Sequence, residues 1–282
     1  MSKGFCFVAQ NNDSTDYVRQ ACLLAVSIHK FNKGQNISIV TNDKIPSKYH
    51  VLFDKIIPIE TDDAVDEKKK MHNRCKMYDL SPYTQTIGMD VDMLVMRDIT
   101  NWWSYLKNYD LFFVSNVKTY RDEIVTSTWH RKVFVNNDLP NLYNGIFYFK
   151  KSKIAKKYFD LLKIITQDWQ TFYKIYSPVK MQNFYSVDVS SAIACKILGI
   201  DYQVTDPNSF VNFVHMKPAL QNWKDYSLNW TDKVSWSVNN NKELLVDNFI
   251  QSNVFHYVED QFLTDEVVKA VSYTHLTLPT KA

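Results

Sequence analysis

Apolar and polar positions fall in blocks along this chain, and the blocks read alternately as strand and helix. Residues 5–9, Phe-Cys-Phe-Val-Ala, predict a first buried strand. A polar loop follows over 10–16, with Ser14 or Thr15 as the expected helix N-cap. From Tyr17 to Phe31 the apolar residues Val18, Ala21, Cys22, Ala25 and Ile28 keep helical spacing, and the helix is expected to close near Gly34. Residues 37–40 and 55–59 predict two more strands. Strands alternating with a helix in this way imply βαβ units, an α/β fold class and a mostly parallel central sheet. A short helix over 77–80 leads to the run 86–95, a buried strand apolar except for Asp90 and Asp92. Further strands are expected at 110–114 and at 146–149, the latter introduced by Asn144-Gly145. Helices are expected at 153–166 and 188–198, with Gly199 as the stop and Asp188 in the default role of a cap. The stretch 119–137 is polar, irregular and aromatic and predicts a mobile loop. Beyond residue 200 the pattern loosens, and no internal repeat or low-complexity linker interrupts the chain.

The chemistry concentrates at Asp90 and Asp92. On a strand, side chains alternate, so these two carboxylates share one side and Val91 takes the other. Two acids at the end of a buried strand must be solvated, paired or bound to a metal, because an unpaired buried charge is very costly. Hard oxygen ligands suit Mg²⁺ or Mn²⁺, ions that also hold substrate phosphates. Parallel sheets bind ligands at the carboxyl ends of their strands, so the 10–16 loop and the two aspartates belong on one rim. Gln10, Asn11, Asn12 and Asp13 suit hydrogen bonds to a base and ribose, and equally suit turn chemistry and capping. Tyr17 offers a ring to stack on a base. Arg74 and Lys76 are candidates for phosphate contacts, or for an exposed helix face. His215 and His256 each follow an apolar run, and each is a candidate to complete a metal site. There is no Gly-x-Gly-x-x-Gly and no Walker-type loop, which argues against a dinucleotide enzyme or P-loop NTPase.

Composition narrows the class. The chain has 282 residues, is 45% hydrophobic and nets +3, enough for one large α/β domain and without the basic footprint of a nucleic-acid binder. The lysines at 68–70 and 150–151 read as solvated faces. The four cysteines show no Cys-x-x-Cys spacing, and Cys6, Cys22 and Cys195 read as buried thiols. No signal peptide and no apolar run long enough to span a bilayer is visible, so a cytoplasmic location is expected. Residues 271–282 resemble the translation of a sequencing adapter. They are expected to be non-native and are set aside, His275 included.

Together these residues resemble a GT-A glycosyltransferase of the glycogenin-like type, known as family 8. The similarity runs in order from about Phe5 to Tyr257. Its strongest part is Ile87-Gly88-Met89-Asp90-Val91-Asp92-Met93-Leu94-Val95 with Arg97-Asp98-Ile99 behind it, similar to that family's Asp-x-Asp segment. The first strand, its Asn-rich loop, Tyr17 and the helix ending in Leu24-Ala25-Val26-Ser27-Ile28 resemble the nucleotide-binding start. Asn144-Gly145 resembles the Asn-Ser-Gly segment near the sugar, although Tyr143 stands where the family places its asparagine. Asp188 resembles the acid of the Asp-Gln helix, with Val189 in place of glutamine. The late His-x-x-Gly-x-x-Lys-Pro-Trp motif is not intact. His256-Tyr257 matches its histidine by order, and His215 with Lys217-Pro218 and Trp223 offers its residue types in compressed spacing.

The resemblance implies a Rossmann-like GT-A domain over residues 1–270. Its nucleotide-binding part would cover about 1–115 and its acceptor-side part about 116–270, with 119–137 as an acceptor loop. It implies a metal site of Asp90, Asp92 and His256, with His215 as competitor, holding Mn²⁺ or Mg²⁺. Donor contacts are implied for Ala9, Gln10, Asn11, Asn12, Tyr17, Arg74, Lys76, Asp90, Val91, Asp92 and Lys217. Asp188 and Asn144 would be the catalytic pair that orients sugar or acceptor. Transfer from a UDP-sugar with retention is implied, to a glycan, lipid-linked or protein acceptor. Two rivals stand beside it: a carbohydrate-binding protein that kept a transferase fold, with tryptophans as sugar platforms, and a nucleotidyltransferase. A haloacid-dehalogenase-like phosphatase wants Gly-Thr after its Asp-x-Asp, where this chain has Met93-Leu94.

Overall fold

Most of these periodicities fold as read. A computed structural model describes residues 2–62, 70–225 and 227–272; Lys68, Lys69 and the tail 273–282 lie outside them. The first half runs Lys3–Val8 (β1), Tyr17–Phe31 (α1), Ile37–Val40 (β2), Lys55–Ile57 (β3), Met77–Leu80 (α2), Gln85–Met89 (β4), Met93–Val95 (β5), Trp102–Leu106 (α3) and Leu111–Val114 (β6). The second runs Lys132–Asn136 (α4), Tyr143–Lys150 (β7), Lys153–Gln167 (α5), Trp169–Tyr176 (α6), Val187–Leu198 (α7), Val214–His215 (β8), Trp236–Val238 (β9), Leu244–Val246 (β10), Phe249–Ile250 (β11), Val254–His256 (β12) and Asp265–Ser272 (α8).

The main sheet has the order β3-β2-β1-β4-β7-β6. Its first four strands are parallel, and β7 runs antiparallel to both neighbours. This is the mostly parallel α/β sheet expected. Apolar clusters fill both of its faces: one with α1 and α3, the other with α5 and α7. A third cluster lies under two small sheets, β11-β10-β9 and β5-β12-β8, and takes in α8 through Val267 and Val271. All four cysteines are buried free thiols. Among the described residues no helix is long and apolar enough to cross a membrane.

Five local expectations change. Helix α1 is capped by Asp16, whose Oδ1 accepts from Arg19 N at 2.8 Å. Ser14 and Thr15 instead donate their backbone N–H groups to Asn12 Oδ1 in an Asx turn. The helix ends at Phe31 rather than near Gly34, because the buried Asn32 leaves it to hydrogen-bond Arg97 O and Ile99 N. The run 86–95 is not one strand: β4 stops at Met89, and β5 leaves to pair antiparallel with β12. Asn144 and Gly145 lie inside β7 rather than before it. Residues 119–137 hold α4 and an antiparallel bridge between Lys118 and Ile124, so the stretch is partly regular.

Candidate functional site

The break between β4 and β5 builds the site. Asp90 N donates to Gly145 O at 2.8 Å, extending the ladder one step beyond Met89. The chain then bends through Val91 and Asp92 into β5, where Met93 faces His256 on β12. Tyr257 N donates to Asp92 O at 3.1 Å and ties the two segments together. Asp90 and Asp92 therefore sit where the carboxyl end of a main-sheet strand meets a second, small sheet. β8 lies parallel on the other side of β12, with His215 beside His256. Gly145 leaves little room here: a Cβ on it would come within 2.9 Å of Met93 Cε and 3.3 Å of Asp90 Oδ2, so those side chains would have to give way.

Ligand atoms of Asp90, Asp92 and His256 all lie within 4.8 Å of one another. His256 Nε2 is 2.9 Å from Asp92 Oδ2, and Arg74 pairs with Asp90 Oδ1. Burial pushes the Asp90 carboxyl above its ordinary range, against the pull of Arg74. Burial pushes Asp92 up as well, but His256 and Arg74 outweigh it, and the carboxyl ends below its ordinary range. Burial pulls His256 down, but Asp92 and its hydrogen bond outweigh that, and the imidazole ends above its ordinary value. His256 Nδ1 is buried with no hydrogen-bond partner among the described residues. Two converging carboxylates and an imidazole form the donor set of a hard divalent cation, so these residues fit Mn²⁺ or Mg²⁺. His215 stacks on His256 with ring centroids 4.4 Å apart and 13° between planes. It lines the same cleft without joining the three converging ligand residues, and burial, then His256 and Lys217, hold it well below its ordinary value.

The cluster opens on a cleft of about 370 Å³ lined by Gln10, Tyr17, Arg74, Val91, Asp188 and Lys217 among others. Phe184, Tyr185 and Ser186 line the wall before α7. Asp188 is not a helix cap. Ser186 holds the N-cap position, and Asp188 Oδ1 accepts Asn144 N at 2.8 Å while Oδ2 accepts Arg131 at 2.9 Å. The Asn144 side chain turns away to Ser191 Oγ, at 2.5 Å. Gln10 is braced by Asp62 and Asn73 at 2.9 and 2.6 Å.

Other predicted site residues lie outside the cleft lining. Asn11 Oδ1 accepts Val18 N, and Asn12 closes the Asx turn, so both side chains serve the start of α1. Ala9 is buried behind the rim. Lys76 reaches back to Thr61, whereas Arg74, two residues earlier, enters the cleft. Arg131, Tyr185 and Ser186 had no local signal in the sequence. Arg131 sits in an irregular stretch, and only the tertiary fold brings it to Asp188. Of the tryptophans, Trp102, Trp103 and Trp230 are core residues, and Trp129 is exposed beneath Lys132.

No family model matches the chain, and no curated protein matches it. Among solved structures, the galactosyltransferase LgtC, in complex with donor and acceptor sugar analogues, is similar with a TM-score of 0.54. The identity is 14%, over 98% of this chain and 98% of LgtC. Mouse xyloside xylosyltransferase 1, in apo form, gives 0.47 at 9% identity, over 73% of this chain and 84% of its own. The bifunctional glycosyltransferase WbbM, also apo, gives 0.42 at 14% identity over 63% of this chain, which spans only 38% of WbbM. The likeness to LgtC shows the fold: the chain has the GT-A glycosyltransferase architecture.

Proposed function

We propose that this chain is a metal-dependent glycosyltransferase that moves a sugar from a nucleotide-sugar, a UDP-sugar, to an acceptor hydroxyl with retention of configuration. One observation carries the reading: Asp90, Asp92 and His256 converge from two sheets beside a cleft that also holds Arg74, Lys217 and Asp188. Asp90, Asp92 and His256 would hold Mn²⁺ or Mg²⁺. Such a cation supplies positive charge where the departing nucleoside diphosphate develops negative charge. Arg74 and Lys217 add fixed positive charge to the cleft lining. Tyr17 offers an aromatic face for the base, and Gln10, braced by Asp62 and Asn73, offers a fixed amide beside it. Asp188, held by Asn144 N and Arg131, orients sugar or acceptor hydroxyls through its remaining lone pairs. The GT-A fold supports this arrangement without identifying the sugar, because function lives in the site.

The test is a thermal-shift panel of nucleoside diphosphates and nucleotide-sugars, with and without Mn²⁺, followed by donor turnover. A ligand at about 100 times its Kd adds about 2.7 kcal/mol, or about 4–5 °C for a chain of this size. The expected result is a shift with UDP or UDP-sugars that needs Mn²⁺ and is lost in Asp92→Asn, with release of nucleoside diphosphate. Normal, metal-requiring turnover by Asp92→Asn sinks the assignment. Sugar binding with no nucleotide response would mark a carbohydrate-binding protein instead, and pyrophosphate release a nucleotidyltransferase.

A further inference from the structure

We infer that Arg131 is the positioning residue that sets the orientation of Asp188 for the transfer step. This rests on the proposed function and deepens it. Arg131 lies just before α4, in a stretch without a regular hydrophobic pattern, yet its side chain is only 8% exposed. Its guanidinium is fully specified. Nε donates to Asn141 Oδ1 at 2.7 Å, one terminal nitrogen donates to Leu142 O, and the other donates to Asp188 Oδ2 at 2.9 Å. The plane is held between two rings, with its central carbon 3.6 Å from the Phe134 centroid and 4.1 Å from that of Tyr143.

Such a buried fork costs a large desolvation and gains little stability over an apolar filling unless each donor is met. Here each of its three nitrogens meets an acceptor, and the one nitrogen that points toward the cleft meets Asp188. Asp188 is therefore gripped at both oxygens, by Arg131 and by Asn144 N. The grip has geometric content. An arginine fork fixes direction, where a lysine supplies only a point charge. Arg131 itself is not among the cleft-lining residues, so it acts through Asp188 and not on the substrate. The same contact ties the 119–137 stretch to the start of α7.

The experiment compares wild type, Arg131→Met and Arg131→Lys for melting temperature, Mn²⁺-dependent UDP affinity, and kcat and KM of donor turnover. Free guanidinium is then added to each at concentrations well below denaturing. Arg131→Met should keep UDP and Mn²⁺ affinity, because neither base nor metal residues touch Arg131. It should lose about 100-fold in kcat, the scale of a misplaced reacting group, with little change in KM, as expected when an interaction made only in the transition state is removed. In a further variant, Arg131→Ala, which empties the slot beside Phe134 and Tyr143, guanidinium should partly restore kcat. Arg131→Lys should keep its fold yet stay well below wild type, which reads the inference even if Arg131→Met does not fold. Unchanged kcat in any of these variants overturns the inference, as does a loss that follows melting temperature and, in Arg131→Ala, ignores guanidinium. A wild-type chain that turns over no nucleotide-sugar overturns the functional reading first, and this inference with it.

Discussion

At the scale of single residues, the site is a set of charges that neutralise one another. The Asp90 side chain is largely buried, 18% exposed, and paired with Arg74. Removing one partner of such a pair leaves a buried charge, a loss of about 3 kcal/mol. Arg74→Met should therefore lower stability by about that much in metal-free buffer, and by clearly less in saturating Mn²⁺, where the metal replaces the guanidinium as counter-charge. Urea denaturation with and without Mn²⁺ measures the difference. An equal loss in both would mean that Mn²⁺ does not sit at Asp90. The Asp92–His256 pair sets the pH dependence. His256 is raised, so its stabilisation is present below its unfolded value, about 6.5, and fades as pH rises through its folded value. Asp92 is lowered, so its share is present above about pH 4 and fades on acidification. Metal affinity runs the opposite way to the histidine's share, because the ligand must be deprotonated. Calorimetric Mn²⁺ affinity should fall by about tenfold per pH unit below the folded His256 value, and His256→Ala should flatten that slope.

At the scale of elements, two glycines of similar local appearance have separate jobs. Gly199 ends α7 at φ 64°, the left-handed conformation that favours glycine. Gly199→Ala should cost about 1 kcal/mol and leave Mn²⁺ affinity unchanged. Gly145 sits in a strand, where its missing side chain makes room for Asp90 and Met93. Gly145→Ala should cost about 1–3 kcal/mol through overpacking, and should also weaken Mn²⁺ because Asp90 must shift. Melting curves with a Mn²⁺ titration separate the two; a Gly145→Ala protein with unaltered affinity would show that Met93 alone gives way. The legibility of elements followed the same division. Helix α1 and strand β2 were readable because local periodicity decides them. Gly199 was readable because a helix stop is local. The split of 86–95 was not, since both halves are apolar and only the competing partners β7 and β12 end one strand and start another. The resemblance gives Asn144 to the sugar or acceptor, while the structure puts its N–H on Asp188 and its amide on Ser191.

At the scale of the molecule, the site exists only because two sheets meet. Asp90 and Asp92 could be singled out from sequence because their chemistry is local and costly. That His256 and not His215 faces them depends on the register of β12 against β5, which no window of sequence contains. Arg131 was invisible for the same reason. This geometry makes a prediction about coupling. The first carboxylate ends a main-sheet strand, and the histidine belongs to β12, more than 160 residues later and backed by a separate apolar cluster. A cation held by all three is a cross-link between sheets, so it should suppress local opening on both sides of the junction. Hydrogen exchange should slow on Mn²⁺ addition in residues 89–93 and equally in 254–258, while β9, β10 and β11 stay unchanged. Asp92→Asn should abolish the effect in both segments together. Protection confined to 89–93 would mean that the aspartates bind the ion without His256, and His215 or solvent would then have to complete the site.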